Sequence, residues 1–387
     1  MKLLAKIGLS DSEQKLLKKV ALISTGASLI VILSFWLISS LTASTKTKTG
    51  LPGISNKPEL NTLDLDAHQF TAIHYLQSNQ PEKAIVHLQR ILIIKKDDRI
   101  ALERLSQAYL EYGNFEKSLS TIDYLISLWG DSLPAYLYAR KGAALYYLGR
   151  YEESSNILNQ AISQFPDDPE ALCFLGQIEA AKAVPSKAAE AFYKRALAAD
   201  STHVETIYQL ARYYESCKEY LKARLQLLKV LEIEPLHVRA HARLGMVYFY
   251  LGSNELALKS YQTALALNPE DFNTRYNLAE LFYTRLNDNR SALQEFTLAL
   301  EYYPLHTEAN YKAGLICIEN DMVKEAIRYF EASLKTDPQN ITKLLQTAAA
   351  YERLGDREKA LEEYHRITEQ DPLHSIALQK IKFLNVK

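Results

Sequence analysis

The chain has 387 residues, of which 48% are hydrophobic and 24% charged, and its formal net charge is −1. Residues 1–64 carry eight lysines and four acidic residues, so the remainder carries 37 basic and 42 acidic side chains. A nucleic-acid-binding domain usually has a basic face, which this slightly acidic remainder does not supply, so we expect no nucleic-acid partner. The 13 glycines and 12 prolines are few, which is typical of a mostly helical chain.

The first predicted elements are a basic segment, residues 1–19, and a transmembrane helix, residues 20–42. No charged residue occurs from Val20 to Thr45, and a helix of about 20 apolar residues crosses the hydrocarbon core. Five lysines precede this helix and three follow it, which favours a cytoplasmic amino terminus with the rest of the chain outside, in the periplasm of a bacterium. A cleaved signal peptide and a buried core helix remain alternatives.

Residues 43–64 follow as a predicted flexible linker. They are rich in threonine, serine, glycine, proline and lysine and have no helical apolar period. A coil of this length would typically span about 25 Å. We therefore expect the next domain to be held away from the membrane.

A repeat begins after the linker. Prolines recur at intervals of 69, 34, 35, 34 and 34 residues, at Pro166, Pro235, Pro269, Pro304, Pro338 and Pro372. A period of 34 residues closed by proline predicts a helix–turn–helix unit. The pattern is clearest in residues 240–271, AHARLGMVYFYLGSNELALKSYQTALALNPED.

This block resembles the tetratricopeptide repeat in both residue types and spacing. The matching residues are Leu244, Gly245, Tyr248, Gly252, Ala257, Tyr261, Ala264 and Pro269. Aligned on it, nine units cover residues 65–374, and residues 375–387 are identified as a capping helix with Ile376, Ile381 and Leu384 on its apolar face. The resemblance implies an all-α, right-handed superhelix of stacked helix pairs.

Two positions in every unit hold a small residue, which lets two helices approach closely. The first-helix position holds Ala72, Ser106, Gly142, Gly176, Ala211, Gly245, Ala279, Gly314 and Ala348. The second-helix position holds Ala84, Ser118, Ser154, Ala189, Ala223, Ala257, Ala292, Ala326 and Ala360. Extra residues are predicted in the inner turns of unit four, near AKAVPSK, and unit seven, near LNDNRS.

The tripeptide PLH occurs three times and raises the question of a metal site. Its histidines are His237, His306 and His374, and His203 occupies the same position of another unit. The remaining units place Asp98, Ser132, Asp168, Asp271 and Asn340 there. These are preferred helix N-caps, and stacked helices would hold the histidines too far apart to share one ion. We therefore expect helix caps, no metal and no cofactor. Cys173, Cys217 and Cys317 fit no metal motif either and are expected to be buried.

The resemblance implies that the first helices line a concave groove that binds a segment of another protein. The side chains expected to point into it are Tyr208, Arg212, Arg239, Met246, Phe249, Tyr276, Glu280, Tyr283, Tyr311, Leu315 and Ile318. The alternative is that tight curvature buries these rings between units. No lysine occupies the fifth position of any unit, which disfavours the two-carboxylate clamp that a subgroup of the family uses for chaperone tails.

The chain contains no GxGxxG, GxxxxGK[ST], HExxH or GxSxG motif, so we expect neither an enzyme nor a small-molecule substrate. The favoured function is a membrane-tethered scaffold that binds proteins or peptides in the groove, in assembly of a cell-envelope complex. One alternative is a structural subunit of pilus, flagellar, secretion or export machinery that packs through its outer surface. Another is a cytosol-facing import receptor of an organelle.

Overall fold

The computed structural model describes residues 62–130, 134–182 and 187–386. Within these ranges the chain forms nineteen helices and no strand, as the all-α prediction requires. Residues 61–387 make one compact unit. The predicted transmembrane helix at residues 20–42 lies outside the described residues, as do the basic segment and nearly all of the linker. Among the helices that are described, none is long and apolar enough to cross a membrane.

The helices form nine consecutive pairs followed by a single helix. Units one to three contain α1 Thr62–Gln77, α2 Pro81–Ile94, α3 Arg99–Tyr112, α4 Phe115–Trp129, α5 Ala135–Tyr147 and α6 Tyr151–Gln164. Units four to six contain α7 Pro169–Lys182, α8 Lys187–Ala199, α9 Val204–Ser216, α10 Tyr220–Ile233, α11 Val238–Tyr250 and α12 Asn254–Leu267. Units seven to nine contain α13 Phe272–Leu281, α14 Asn289–Tyr302, α15 Thr307–Glu319, α16 Val323–Thr336, α17 Ile341–Leu354 and α18 Arg357–Gln370, and α19 is Ser375–Val386.

The two ends of the array differ in detail from the prediction. Helix α1 begins at Thr62, inside the segment predicted as linker. At the other end α19 packs on α18, as expected of a capping helix. Leu384 is buried there as predicted, but Ile376 is 48% exposed, and Ala377 takes the buried position beside it.

Adjacent units stack through their helices in a fixed order. The second helix of each unit packs on the first helix of the next, and first helices of neighbouring units also touch directly in the middle of the array. The buried side chains consequently form clusters that run across unit boundaries, as in the cluster that extends from Cys173 to Leu281. One face of the array is therefore built from first helices, and we call this face the groove.

The small residues predicted at the helix crossings are buried in every unit, so this prediction is confirmed. A Cβ atom added to Gly245 would lie 2.5 Å from Cδ1 of Tyr261 on the paired helix. In unit three the helices are close enough for Oγ of Ser154 to donate to the Gly142 carbonyl at 2.7 Å. The aromatic side chains of the second helices fill the space beside these contacts: Tyr193, Tyr261, Phe296, Phe330 and Tyr364.

The histidines of the repeat cap helices, as predicted. In each case Nδ1 accepts a hydrogen bond from the backbone N–H three residues later. The bonds are His203 from Thr206 at 3.3 Å, His237 from Ala240 at 3.0 Å, His306 from Ala309 at 3.1 Å and His374 from Ala377 at 3.3 Å. Asp98, Asp168 and Asn340 accept equivalent bonds, and Asp271 accepts one from the N–H of Asn273, two residues later, whereas Ser132 lies outside the described residues.

The extra residue predicted in unit seven is absorbed as a π-helical turn. Phe282–Leu286 form this turn directly after α13, and Asn287 ends it with φ of 52°. A π turn accommodates one additional residue without displacing the helices on either side. The corresponding residues of unit four, 183–186, lie outside the described ranges.

We expect Gly245→Val to lower the free energy of unfolding by about 1–3 kcal/mol, because the added side chain overpacks the crossing with Tyr261. The measurement is chemical denaturation of the full-length chain followed by circular dichroism at 222 nm, a wavelength that reports helix in general. The control is Lys259→Val, which places the same side chain at an exposed position of α12. Equal midpoints for both variants would contradict close packing at the crossing.

Candidate functional site

The predicted groove residues differ in exposure. Tyr208 is buried, at 3% exposed, whereas Arg212 and Arg239 are exposed. The remaining side chains are half-buried: Met246, Phe249, Tyr276, Glu280, Tyr283, Tyr311, Leu315 and Ile318. Half-buried side chains on an open face keep part of their surface accessible to a partner protein. Their assignment as partner contacts stays a prediction.

Tyr208 supports the groove wall and leaves little surface for a partner. The guanidinium of Arg239 lies 4.8 Å from the centre of its ring. Nε of Arg243 donates to its hydroxyl at 2.9 Å. Both arginines belong to the next unit. Tyr208 is therefore buried between units, as the alternative interpretation of the groove residues predicts.

Charged groove residues pair between neighbouring units. Arg239 lies 3.3 Å from a carboxylate oxygen of Glu205. Lys312 contacts both carboxylate oxygens of Glu280, at 2.6 and 2.5 Å. Glu280 was predicted as a partner contact, but in the structure its carboxylate is already occupied by this partly buried lysine. Such pairs add little stability where they are exposed, and where they are shielded from water the cost of desolvation offsets much of their attraction.

Aromatic side chains form a stripe along units six to eight. The guanidinium of Arg285, from the π turn, lies 4.8 Å from the centre of the Phe249 ring. The Tyr283 hydroxyl donates to Glu319 at 3.4 Å. Tyr276 packs on the His306 ring at 5.2 Å between ring centres. The π turn thus places a cation beside the stripe, which the repeat pattern did not predict.

A cavity of about 480 Å³ opens on the groove between units three and six. Besides the predicted Arg212 and Met246, its lining includes Tyr146, Gln177, Tyr193, Tyr213, Glu215, Tyr220, Arg243 and Tyr250. Tyr146 and Gln177 were missed because the predicted contacts were confined to units five to eight, and Tyr193 and Tyr220 because they belong to second helices. The available signal was the aromatic pair that ends several first helices, such as Tyr213-Tyr214 and Phe249-Tyr250.

The most buried charge in this cavity is the carboxylate of Glu215, whose side chain is 7% exposed. Nη1 of Arg243 donates to Oε2 of Glu215 at 2.5 Å. Burial raises the pKa of Glu215, while Arg243 opposes the shift. The second oxygen, Oε1, is buried without a hydrogen-bond partner among the described residues.

Metal and thiol chemistry find little support in the described part of the chain. Its histidine, cysteine, aspartate and glutamate side chains form no group of three or more that could hold a metal ion. Cys173 and Cys317 are buried as predicted, and Cys217 is half-buried. Burial raises the pKa of Cys173 to about 12 and of Cys317 to about 11, which disfavours their thiolates at neutral pH.

The neutral form of His306 is the form that caps α15, because only an unprotonated Nδ1 accepts a hydrogen bond. Its ring lies among Phe272, Tyr276 and Tyr303. Burial lowers the pKa of His306, and the Glu308 carboxylate partly opposes this. The unfolded chain therefore binds this proton more readily, so the stabilisation is complete above the unfolded pKa and is lost as the pH falls from there through the lowered pKa of the folded chain.

We expect His306→Asn to reduce the loss of stability between pH 7.5 and 5.5, because asparagine caps a helix in either condition. The two chains are compared by denaturant midpoint at both pH values. The substitution should remove at most about 1 kcal/mol of the pH-dependent loss in the free energy of unfolding, which is the usual contribution of a helix cap. His365→Asn, on the second helix of unit nine, serves as control. An unchanged pH dependence in His306→Asn would rule out this histidine as a contributor.

Family models match this chain over four segments. A model described as TPR repeat matches residues 245–285. Models described as tetratricopeptide repeat match residues 140–204, 283–341 and 344–374. The matched segments therefore extend from unit three to unit nine, with residues 205–244 unmatched. They include the aromatic stripe and seven of the fourteen residues that line the cavity.

Similar proteins include one that is a subunit of a complex, by its name. The chain is 26% identical over 288 residues to Protein CTR9 homolog of Arabidopsis thaliana, covering 69% of this chain and 25% of that protein. It is 24% identical over 249 residues to anaphase-promoting complex subunit 3 of Schizosaccharomyces pombe, covering 64% and 36%. The chain thus spans about a third or less of these relatives. A chain of the crystal structure of the APC/C heterotetramer Cut9–Hcn1 has a similar fold, with TM-score 0.54, 16% identity and coverage of 82% and 63%.

Proposed function

Because the chain belongs to the tetratricopeptide repeat family, we propose that it is a scaffold whose groove binds a segment of a partner protein. The observation that carries this proposal is the half-buried aromatic and apolar stripe that continues from the cavity through unit eight.

The composition of the stripe fits a protein partner. Tyrosine, phenylalanine, methionine and arginine are enriched at the centres of protein interfaces. Phe249, Tyr283 and Ile318 each have one side packed on the array and one side open. Rings held in this way lose little further conformational entropy when a partner covers them. The scaffolding role proposed here does not depend on any catalytic group.

A second candidate, lateral packing of whole arrays, is favoured by one observation on the outer surface. Leu221, Leu225 and Leu228 follow one another along α10 at helical spacing and are 60%, 53% and 37% exposed. Neighbouring apolar side chains on one helix face can pack against another protein. This arrangement would suit a structural subunit of a larger machine.

We expect a photoreactive benzophenone side chain introduced at Tyr283 to cross-link a partner protein in intact cells, because that ring opens onto the groove. The same group at Leu225 samples the outer surface and is the matched comparison. Gel mobility and mass spectrometry identify the products. Products from Leu225 alone, above all cross-linked copies of this chain, would contradict the groove proposal and support lateral packing.

The scaffold is proposed to be tethered to a membrane by residues 20–42. The support is the uncharged apolar sequence itself, which is long enough for one crossing. The excess of lysines before it supports an amino terminus in the cytoplasm and an array on the far side, in a cell envelope. An array held in the cytosol is the opposite arrangement.

We expect the full-length chain to stay in the membrane pellet through an alkaline carbonate wash, and the chain lacking residues 20–42 to be released. The reason is that only the apolar segment would enter the hydrocarbon core. Immunoblots of pellet and supernatant measure the distribution, and protease added outside intact cells or spheroplasts tests the side. Retention of the shortened chain in the pellet would contradict this anchor.

A further inference from the structure

The cation of Arg212 differs in its partners from three other bases of the groove. Within the described ranges it makes one hydrogen bond, from Nη1 to Oε1 of Gln209 at 3.1 Å, and no ion pair. By contrast Arg239, Arg243 and Lys312 each lie within 3.3 Å of a carboxylate oxygen. Arg212 is exposed and lines the cavity, so its remaining N–H groups are available to a ligand.

Gln209 fixes the position of this guanidinium. Its side chain is buried, at 7% exposed, and Nε2 donates to Glu205 at 2.6 Å. That bond orients the amide so that its oxygen faces Arg212. A cation positioned by a buried amide, and in no ion pair within the described ranges, is suited to bind a carboxylate through two parallel hydrogen bonds.

The rest of the cavity adds an aromatic subsite and a net positive charge. The rings of Tyr220 and Tyr250 are stacked with centres 4.8 Å apart, and Tyr250 is 53% exposed. Of the charged residues that line the cavity, Arg243 and Glu215 neutralise each other, which leaves the charge of Arg212. The unpartnered Oε1 of Glu215 is a further polar atom in this wall.

We propose that this cavity binds a segment of another protein that presents an Asp or Glu side chain to Arg212 and an aromatic side chain to the Tyr220–Tyr250 pair. This rests on the proposed function of the groove and specifies its ligand. A side-chain carboxylate is favoured over a chain end because exposed groove residues continue on both sides, at Tyr136 and at the stripe of units six to eight. The basic residues 1–64 of this chain have the wrong charge to compete.

The test is selection of a randomised twelve-residue peptide library, displayed with both ends blocked, on the full-length chain. We expect enrichment of Asp or Glu close to Phe, Tyr or Trp. On Arg212→Glu the acidic position should change to Lys or Arg. Arg328→Glu, on an exposed second helix, is the matched control and should select the same peptides as the unmodified chain.

The best peptide is then measured by fluorescence anisotropy. Arg212→Gln should weaken binding roughly 10-fold or more, the range expected for a hydrogen bond to a charged group. Replacing the acidic residue of the peptide by its amide should cost as much in the unmodified chain and little in Arg212→Gln. Circular dichroism checks that the variant is folded.

The outcomes separate this inference from the function it rests on. Peptides that bind the groove without an acidic preference, or equally well to Arg212→Gln, overturn the carboxylate site and leave the scaffold intact. Selection of basic peptides likewise overturns it. If no peptide is enriched and Tyr283 cross-links nothing in cells, both the site and the groove proposal fail.

Discussion

The close approach of the two helices within each unit is the constraint on which the rest of the structure depends. Where Gly245 meets Tyr261, the first helix lies directly against a ring of the second, with no room for another carbon. The same contact recurs at Gly176 with Tyr193 and at Gly314 with Phe330. Each crossing fixes the angle of its pair, and the angle determines how the next unit can stack. Because units contact mainly their neighbours, an error at one crossing would alter the direction of all that follow.

Because the crossing residues hold the helix pairs together, the residues that face the groove can differ from one unit to the next. The crossing residues are small and buried, so they hold the backbone, while the middle and end of each first helix present side chains that no packing rule dictates. That freedom explains why the same frame carries a carboxylate–arginine pair at Glu215 in one unit and an aromatic residue, Tyr283, in another. It also explains why fold likeness to other arrays does not identify a ligand, since the ligand-facing residues are the variable ones.

Much of this could be predicted from the sequence, for a physical reason. Small residues at crossings, capping residues at helix starts and prolines after helix ends are local requirements, so a 34-residue period reveals them together. The positions facing the groove followed from the same register. Burial of groove rings was an open alternative, but the register does not indicate that Tyr208 is the ring buried, nor that Glu280 is occupied. Both depend on the reach of long basic side chains from the next unit, and rotamers are set by the assembled surface.

The ion pairs between units have a consequence for how the chain assembles. Glu280 of unit seven meets Lys312 of unit eight, and Glu352 of unit nine meets Lys380 of the cap, so each acid recognises a base in one particular successor. Helical hairpins this alike could dock on the wrong neighbour while the chain is collapsing. A misplaced hairpin would bring unmatched charges together. Where such pairs occur, they favour docking on the correct neighbour over docking on a wrong one.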